Sequence, residues 1–557
     1  MSYKRTGADI VIETLIAEGV DTVFGYPGGQ VLDIYDSLER NRKKIKHILT
    51  SHEQGAAHAA DGYARASGKV GVVIATSGPG AANLVTGIAT AYLDSSPMVA
   101  ITGNVDTSKI GRDCFQELDI ADITMPITKH NYIVRDVNEL GRILREAFAI
   151  ARSGRRGPVL VDIPRDIQAA KCDAPLPDAI DEKLDDIPSP DMLRSISEAA
   201  KMISNAKYPL IYCGGGVVNA DAGELVTELS KKIDAPIGCS LMGLSAVSDE
   251  FPSKLGLTGM HGLENATKAV CTADVIIAVG TRFTDRATGT KGEFVSNAKI
   301  IQLDIDPAEI DKNVRDAAYV IGELKMSLRL LIDALPEAKH ENWQEYVARK
   351  AIDPQTEFTP YAVIDSVAAK TQDFIVATDV GQHQMWVAQR YPLCIQRGFI
   401  TSGGLGTMGF GMGAAIGASL AKKQPVVLFT GDGSFGMDMN ELSTAVYNNI
   451  PLLIILMNNS SLGMVKQSQE MLFKRTSQSR LCRSTDFVKL AEAFGAKGFR
   501  ASNTAELTLA LENSMKYIAR KSPIPCLIEC LIDPNEKVAL CKEQILMPKQ
   551  GSKGIAK

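Results

Sequence analysis

Several things are scarce in this chain, and each scarcity excludes something. Its ten cysteines form no C-x-x-C pair, and the nearest two, Cys526 and Cys530, lie four apart in an apolar run. That spacing argues against zinc knuckles and disulfide frameworks and leaves the thiols as small core hydrophobes of a reducing compartment. No stretch is apolar and charge-free for the roughly 20 residues a bilayer requires. The N-terminal MSYKRTGADIVIETLIAEG reads as an amphipathic helix without a cleavable hydrophobic region, so a cytoplasmic protein with no membrane association is expected. Neither sign of charge dominates: 60 Lys and Arg stand against 65 Asp and Glu, a net −5 that leaves no electrostatic footprint for nucleic acid. What is present is a globular composition, 45% hydrophobic and 22% charged, in 557 residues. That length exceeds what one core supports and points to three domains.

Helical and strand patterns alternate along three blocks. Apolar strands are expected at Thr22–Phe24, Ile48–Thr50, Val70–Thr76, Met98–Thr102 and Pro158–Ile163 in the first. The second has Leu210–Cys213, Val275–Val279 and Ile300–Asp304, and the third Phe374–Thr378, Val426–Thr430, Leu452–Met457 and Cys526–Ile532. Such alternation predicts α/β domains built on doubly wound parallel sheets, at 1–170, 190–335 and 360–535. Pro- and Asp-rich residues 171–195 and the polar, partly helical stretch Ala334–Phe358 read as linkers, and the basic tail Asn535–Lys557 as loose. No short-period repeat is visible.

The most informative stretch is Gly431–Asn459. A strand runs into Gly431-Asp432-Gly433, a helical segment follows, and a second strand ends at Asn458-Asn459. A parallel sheet brings both strand ends to its carboxyl edge, where α/β folds keep ligands. Asp432 and Asn459 could there share one hard cation, Mg²⁺, which takes few protein oxygens and fills its octahedron with phosphate and water. The glycines would let backbone N–H groups approach those phosphates. GDG alone is ordinary turn chemistry, whereas GDG and NN closing successive strands is the motif pair of thiamine diphosphate enzymes.

Glu53 begins a helix rich in Ala and Gly, HEQGAAHAADGYAR, against which another surface can pack closely. A carboxyl in such surroundings suits proton exchange with a ring nitrogen, while on this segment alone a helix-terminus role would be the simpler reading. His52 and His58 are expected to support the fold. Gly404-Leu405-Gly406-Thr407-Met408-Gly409 satisfies the dinucleotide pattern G-x-G-x-x-G but follows a poor strand, so these glycines are read as a backbone surface for a cofactor ring with Met408 beneath it. In the middle block Cys213-Gly214-Gly215-Gly216, Gly280–Arg286 and Asp304-Ile305-Asp306 each end a strand, which favours a second, nucleotide-type ligand.

Assembled, these segments resemble the catalytic subunits of the acetohydroxyacid synthase (acetolactate synthase) family, thiamine diphosphate enzymes that also carry FAD. The resemblance spans about residues 5–535 and rests on FGYPGG, HEQGAAHAADGYAR, TSGPGAANL, FQELDI, GMHG, GTRFTDR, SGGLGTMGFG, GDGSF and NNSSLGMVKQ. It implies that Glu53 acts on the aminopyrimidine N1′ of thiamine diphosphate, with Gln116 as the other catalytic residue. Tyr26, Pro79, Asn83, Gly381, Gln382, His383, Gly406, Met408, Gly433, Ser434, Gly463 and Met464 would bind that cofactor. Asp432, Asn459 and the carbonyl of Ser461 would hold Mg²⁺. FAD, in a structural role, would lie against Arg155, Gly214, Gly215, Ser240, Leu241, Met260, His261, Gly280, Arg282 and Asp304. Phe115, Arg286 and Ser468 would meet substrate. The implied activity decarboxylates pyruvate and joins the two-carbon unit to a second 2-oxo acid, pyruvate or 2-oxobutanoate, in branched-chain amino acid biosynthesis. The alternative is a related decarboxylase, lyase or oxidase on another 2-oxo acid. A homodimer or tetramer with sites at the subunit interface is implied, with a possible small regulatory subunit. The chain departs from the family at Ser468, where a Trp is usual and favours 2-oxobutanoate, and in its C-terminal ending.

Overall fold

The computed structural model describes residues 5–541 except 174, 181–186, 289–297, 316, 341, 350–354, 356 and 482–483. Three six-stranded sheets dominate it. The first contains β1 (Thr22–Tyr26), β2 (Lys46–Leu49), β3 (Gly71–Ala75), β4 (Met98–Asn104), β5 (His130–Ile133) and β6 (Pro158–Pro164), in the order β2-β1-β3-β4-β6-β5. The second contains β7 (Pro209–Cys213), β8 (Ile237–Cys239), β9 (Lys254–Leu257), β10 (Val275–Val279), β11 (Lys299–Asp304) and β12 (Ala318–Ile321), in the order β9-β8-β7-β10-β11-β12. The third contains β13 (Ile375–Thr378), β14 (Phe399–Ile400), β15 (Val426–Gly431), β16 (Leu452–Asn458), β17 (Lys497–Ala501) and β18 (Cys526–Leu531), in the order β14-β13-β15-β16-β18-β17. The expected α/β class is what the chain adopts. Central strands are apolar throughout, as burial of both faces of a parallel sheet demands: Val72, Val73 and Ile74 of β3 and Leu453, Ile454 and Ile455 of β16 have no exposed surface.

The chain divides into two compact units. One holds residues 1–183, 357–384 and 400–535, and with them the first and third sheets; the other holds 184–356, 385–399 and 536–557. Within the first unit the close-packing surface expected opposite Glu53's helix is another helix of this chain. Helix α1 (Glu53–Ser67) crosses α3 (Gly411–Lys422), the helix that precedes β15. The contact is backbone on backbone. A Cβ on Gly62 would lie 2.1 Å from the Ala414 carbonyl oxygen, and one on Gly417 would lie 1.9 Å from that of Ala59. Between them in sequence, α2 (Gln382–Arg390) leads away from β13.

Several local expectations need correction. Short strands at His130–Ile133, Ile237–Cys239, Lys254–Leu257, Ala318–Ile321 and Lys497–Ala501 went unpredicted, because three to five residues carry too little pattern to separate from a loop. The supposed linker 171–195 opens with a two-residue strand paired to Arg5–Thr6 and gives way to a helix from Pro190, capped by Ser189. The polar stretch Ala334–Phe358 is not merely a linker, since Trp343 is 2% exposed and its indole N–H donates to Pro209 O. The tail is ordered at its start: Val538 and Cys541 are buried. Residues 542–557 of that tail lie outside the described residues.

Candidate cofactor and active site

In the third sheet β13 and β15 are neighbours while their connections leave in opposite directions, which makes the crevice beyond their carboxyl ends the topological switch point. The chain leaves β13 through Asp379-Val380-Gly381 into α2, and leaves β15 directly into α4 (Asp432–Asp438). Asp379 organises this edge. Its Oδ1 accepts from Val380 N and Gly409 N, each at 2.9 Å, and its Oδ2 from Thr430 Oγ1 at 3.3 Å. Burial pushes its carboxyl up to about 6, against those hydrogen bonds. The sequence reading missed this residue; an acid following an apolar strand and preceding a glycine was the available signal.

Asp432 and Asn459 extend from adjacent strands, β15 and β16, held in register by Gly431 opposite Met457. Each is 7% exposed. Asn459 Nδ2 donates to Gln382 Oε1 at 3.1 Å, while its Oδ1 accepts from Ser461 N at 3.0 Å and retains a lone pair. A Cβ on Gly463 would sit 1.8 Å from Gln382 Oε1, so only glycine admits that side chain. A small cavity of about 80 Å³ adjoins Asp432, walled by Asn458, Ser460, Leu481 and Phe487 among others. Among the described residues no cluster of three or more His, Cys, Asp or Glu could bind a metal. The donor set here is instead one carboxylate, one amide oxygen and backbone carbonyl, which suits a cation that brings phosphate and water ligands.

The phosphate side fits as well. Ser434 Oγ donates to Val380 O at 2.8 Å, fixing α4 to the turn after β13. His383 is buried, its pKa pushed down to about 3 by desolvation, and its Nε2 has no hydrogen-bond partner. A neutral imidazole packed against the glycine backbone at Gly381 and Gly431, tied to the Asp379 backbone but with Nε2 unpaired, leaves one buried ring nitrogen for a ligand to satisfy. Met408 Cε and Leu462 Cδ2 would lie 3.6 and 2.8 Å from a Cβ on Gly433, so an apolar floor gathers over the GDG turn.

The first sheet has a matching crevice between β1 and β3. Glu53 is the first residue of α1; His52 caps the helix, its Nδ1 accepting from Gln54 N at 3.1 Å. Glu53 is 8% exposed, and its Oε2 accepts from Asn83 Nδ2 at 3.0 Å. Gly80 is close enough that a Cβ there would be 3.2 Å from Glu53 Oε1. Gly78 turns the chain with φ +58° into the helix Pro79–Asn83, and a Cβ on it would meet the backbone of Gln116, itself at φ +61°. Glu53, Asn83, Pro79 and Gln116 therefore converge. Tyr26, at the end of β1, is 41% exposed, and Phe115, beside Gln116 in sequence, is 84% exposed. His58 is buried edge-on to Phe410, as a residue of the packed interior. A further residue the sequence did not assign, Glu441, accepts from Ser51 N and His52 N at 3.0 and 2.9 Å, so a side chain from beside the third sheet fixes the approach to Glu53. Burial raises Glu441 to about 6 and, with Glu441 and Asp379 nearby, holds Asp438 well above the usual carboxylate range.

In the second unit, numbering the sheet's own strands gives the order 3-2-1-4-5-6, that of dinucleotide-binding folds, with the crevice between β7 and β10. Gly214 and Gly280 leave those strands back to back: a Cβ on Gly214 would lie 2.1 Å from Gly280 O, and Gly280 has φ +56°. Ser240 and Leu241 follow β8, with Ser240 N donating to Cys213 O at 2.9 Å. Asp304 ends β11, and burial beside Glu309 and Asp306 lifts its carboxyl to about 6. Arg282 O accepts from Asn313 Nδ2. His261 Nδ1 is buried without a partner. Gly215 opens the helix Gly215–Asn219. These features fit a dinucleotide such as FAD. Of that expected set Arg155 alone belongs to the first unit, where its Nε donates to Ser95 Oγ at 2.9 Å. Arg286 is exposed in the second unit, 3.7 Å from Asp285 and with Met260 Sδ at 3.7 Å. Ser468 lies on α5 (Gly463–Phe473), its hydroxyl donating to Met464 O and making no wall of its own. Gly406 turns the loop before α3 with φ +70°.

Comparison with known proteins gives three family matches in series: the thiamine pyrophosphate enzyme N-terminal TPP binding domain at residues 5–123, the central domain at 196–331 and the C-terminal TPP binding domain at 379–530. The chain is 43% identical over 559 residues to a probable acetolactate synthase large subunit of Methanocaldococcus jannaschii, covering 96% of this chain and 93% of the relative. It is 41% identical to the acetolactate synthase isozyme 3 large subunit of Escherichia coli, covering 96% of each, and 41% identical to the acetolactate synthase large subunit of Pyropia yezoensis, covering 100% and 97%.

Proposed function

We propose, for a chain that belongs to the acetolactate synthase large-subunit family of thiamine pyrophosphate enzymes, the carboligation its relatives are named for. The substrate is pyruvate, which loses CO₂, and the remaining two-carbon unit joins a second 2-oxo acid, pyruvate or 2-oxobutanoate. One observation carries the reading: Asp432, Asn459, Gln382 and Gly463 meet at the switch point of one sheet, while Glu53 and Asn83 meet at that of another. Thiamine diphosphate, when bound, supplies the electron sink for decarboxylation. Asp432, Asn459 and Ser461 O would hold Mg²⁺, and His383, Ser434 and Gly433 would receive the diphosphate. Glu53, oriented by Asn83, would hold and return the proton at the aminopyrimidine nitrogen. Arg286 would pair with the acceptor carboxylate, and FAD would fill the crevice of the second unit without a redox role, since the reaction has none.

The assembly we infer is a homo-oligomer that completes each site across an interface. Phe115, Met125, Met437, Tyr447, Leu472 and Phe473, all of the first unit, are more than half exposed, large apolar side chains that a partner subunit would cover. A small regulatory subunit and a cytoplasmic location complete the reading; no helix among the described residues is long and apolar enough to cross a membrane. The test is incubation with pyruvate, Mg²⁺, thiamine diphosphate and FAD, followed by acid decarboxylation of the product to acetoin. Absence of acetoin sinks the reading. The small Ser468 side chain favours a second possibility, another 2-oxo acid as donor, and a substrate panel in which pyruvate is poor would select it.

A further inference from the structure

The start of the C-terminal tail is clasped, and the clasp closes on the loop that carries Met260 and His261. Gly259 turns that loop with φ +100°, and Met260 N donates to Arg286 O at 3.1 Å, so the loop lies on the backbone of Arg286. From the tail, Cys541 N donates to Met260 O at 3.1 Å. Two side chains of α2 complete the arrangement. The indole N–H of Trp386 donates to Lys537 O at 3.5 Å, and Gln389 Nε2 donates both to His261 O at 2.7 Å and to Ala539 O at 3.3 Å. Gln389 is 6% exposed.

We propose that Gln389 is a positioning residue: its one amide group spans the loop carbonyl of His261 and the tail carbonyl of Ala539, and so fixes the loop that presents Met260 and His261 to ligand and packs on the backbone of Arg286. The inference rests on the proposed function for what those residues meet. The chemistry selects an amide. Its NH₂ offers two N–H groups about 120° apart and no charge, so it can serve two carbonyls on separate segments. A leucine would take the donor from two part-buried contacts, and a carboxylate would set lone pairs against lone pairs. Trp386 ties only the tail, and Cys541 joins tail to loop through one backbone hydrogen bond, whereas Gln389 holds both segments to α2 through one side chain.

The variants are Gln389→Leu and Gln389→Glu in the full-length protein, each first checked for wild-type circular dichroism and thermal midpoint. Hydrogen exchange of peptides covering 257–263 and 536–541 should accelerate about tenfold in Gln389→Leu, with exchange in the first unit unchanged. Flavin fluorescence titration should show a Kd for FAD raised about tenfold, and KM for pyruvate should rise similarly with kcat within about twofold of wild type. Gln389→Glu should behave alike at pH 8 and recover only in part near pH 5, where a protonated carboxyl offers one O–H to one of the two carbonyls. Unchanged exchange in both peptides overturns the proposal. So does a uniform loss of kcat that tracks a lower folded fraction, the mark of simple structural glue. If the wild type itself forms no acetolactate, the proposed function falls, while the exchange and flavin arms still decide the role of Gln389.

Discussion

The crossing of α1 and α3 makes a sharp prediction because two effects of one methyl group oppose each other. Gly417 lies in the middle of a helix, where Gly→Ala normally stabilises by up to about 1 kcal/mol. Here the new Cβ would stand 1.9 Å from Ala59 O and 2.8 Å from both Ala59 C and Tyr63 N. These are backbone atoms, so no rotamer change relieves the clash, and the helices must part by more than about 1 Å to restore ordinary contact. Overpacking of this kind costs about 1–3 kcal/mol, and the rigidity of the obstacle places Gly417→Ala at the upper end. The net expectation is destabilisation by about 2 kcal/mol, read as a lower urea midpoint. Because α1 begins at Glu53, kcat should fall as well. Gly62→Ala meets the reciprocal obstacle, Ala414 O at 2.1 Å, so helices already parted by one methyl should accept the second cheaply. The double variant should therefore lose clearly less than the sum of the singles. A Gly417→Ala protein as stable as wild type, or more so, would refute the close-packed crossing; strict additivity would refute its reciprocity.

The other predictions concern chemistry. Glu53→Gln keeps an oxygen to accept from Asn83 and removes the exchangeable carboxyl proton, so turnover should fall by about 10²–10⁴ with an unchanged melting profile; retained activity would defeat the role given to Glu53. Asp438 holds its proton more tightly folded than unfolded, because burial beside Glu441 and Asp379 disfavours its charge. Its contribution is therefore most favourable below the unfolded value of 3.8 and is lost as pH rises through the elevated folded one. Asp438→Asn should lose less stability than wild type as the pH is raised from the unfolded value of 3.8; parallel pH slopes in urea unfolding would count against this. Ser468→Trp, by restoring a large apolar surface beside Met464, should raise the preference for 2-oxobutanoate over pyruvate as acceptor, measured in competition. An unaltered product ratio would remove Ser468 from the acceptor pocket.

The positions of the candidate site residues on their elements were legible in the sequence because the punctuation there is local. GDG and NN each sit at the end of a long apolar strand, and Glu53 and Gly78 each at a strand-to-helix turn, so period and punctuation placed them correctly. What was not legible is carried by single long-range hydrogen bonds. Asp379 collects N–H groups from its own turn and from Gly409; Glu441 reaches Ser51 and His52; Gln389 joins His261 to Ala539. No spacing rule foretells such contacts, because each depends on where two distant segments come to rest. The tail misled for a related reason. Its Lys-rich composition reads as solvated, yet Val538 and Cys541 bury two small apolar side chains and its backbone finds partners.

The first and third sheets share one topology. Counted along its own strands, each runs 2-1-3-4-6-5, although no repeat is visible in the residues. The same fold thus offers two switch-point crevices and equips them differently. One carries a single carboxyl among small residues and an amide to orient it; the other carries a carboxylate, amide oxygens, bare glycine backbone and a neutral imidazole. A ligand with a weakly basic ring at one end and a diphosphate at the other needs one crevice of each kind, and neither suffices alone. With each site completed across a subunit interface, as inferred above, the demand on each chain is to hold its two crevices rigid so that each meets its counterpart in the partner. Glu441 bears on that demand, since it stands beside the third sheet yet accepts from the two N–H groups immediately before Glu53. The placement of Glu53 within the chain is therefore set from beside the third sheet, and the glycine crossing of α1 and α3 holds that setting rigid.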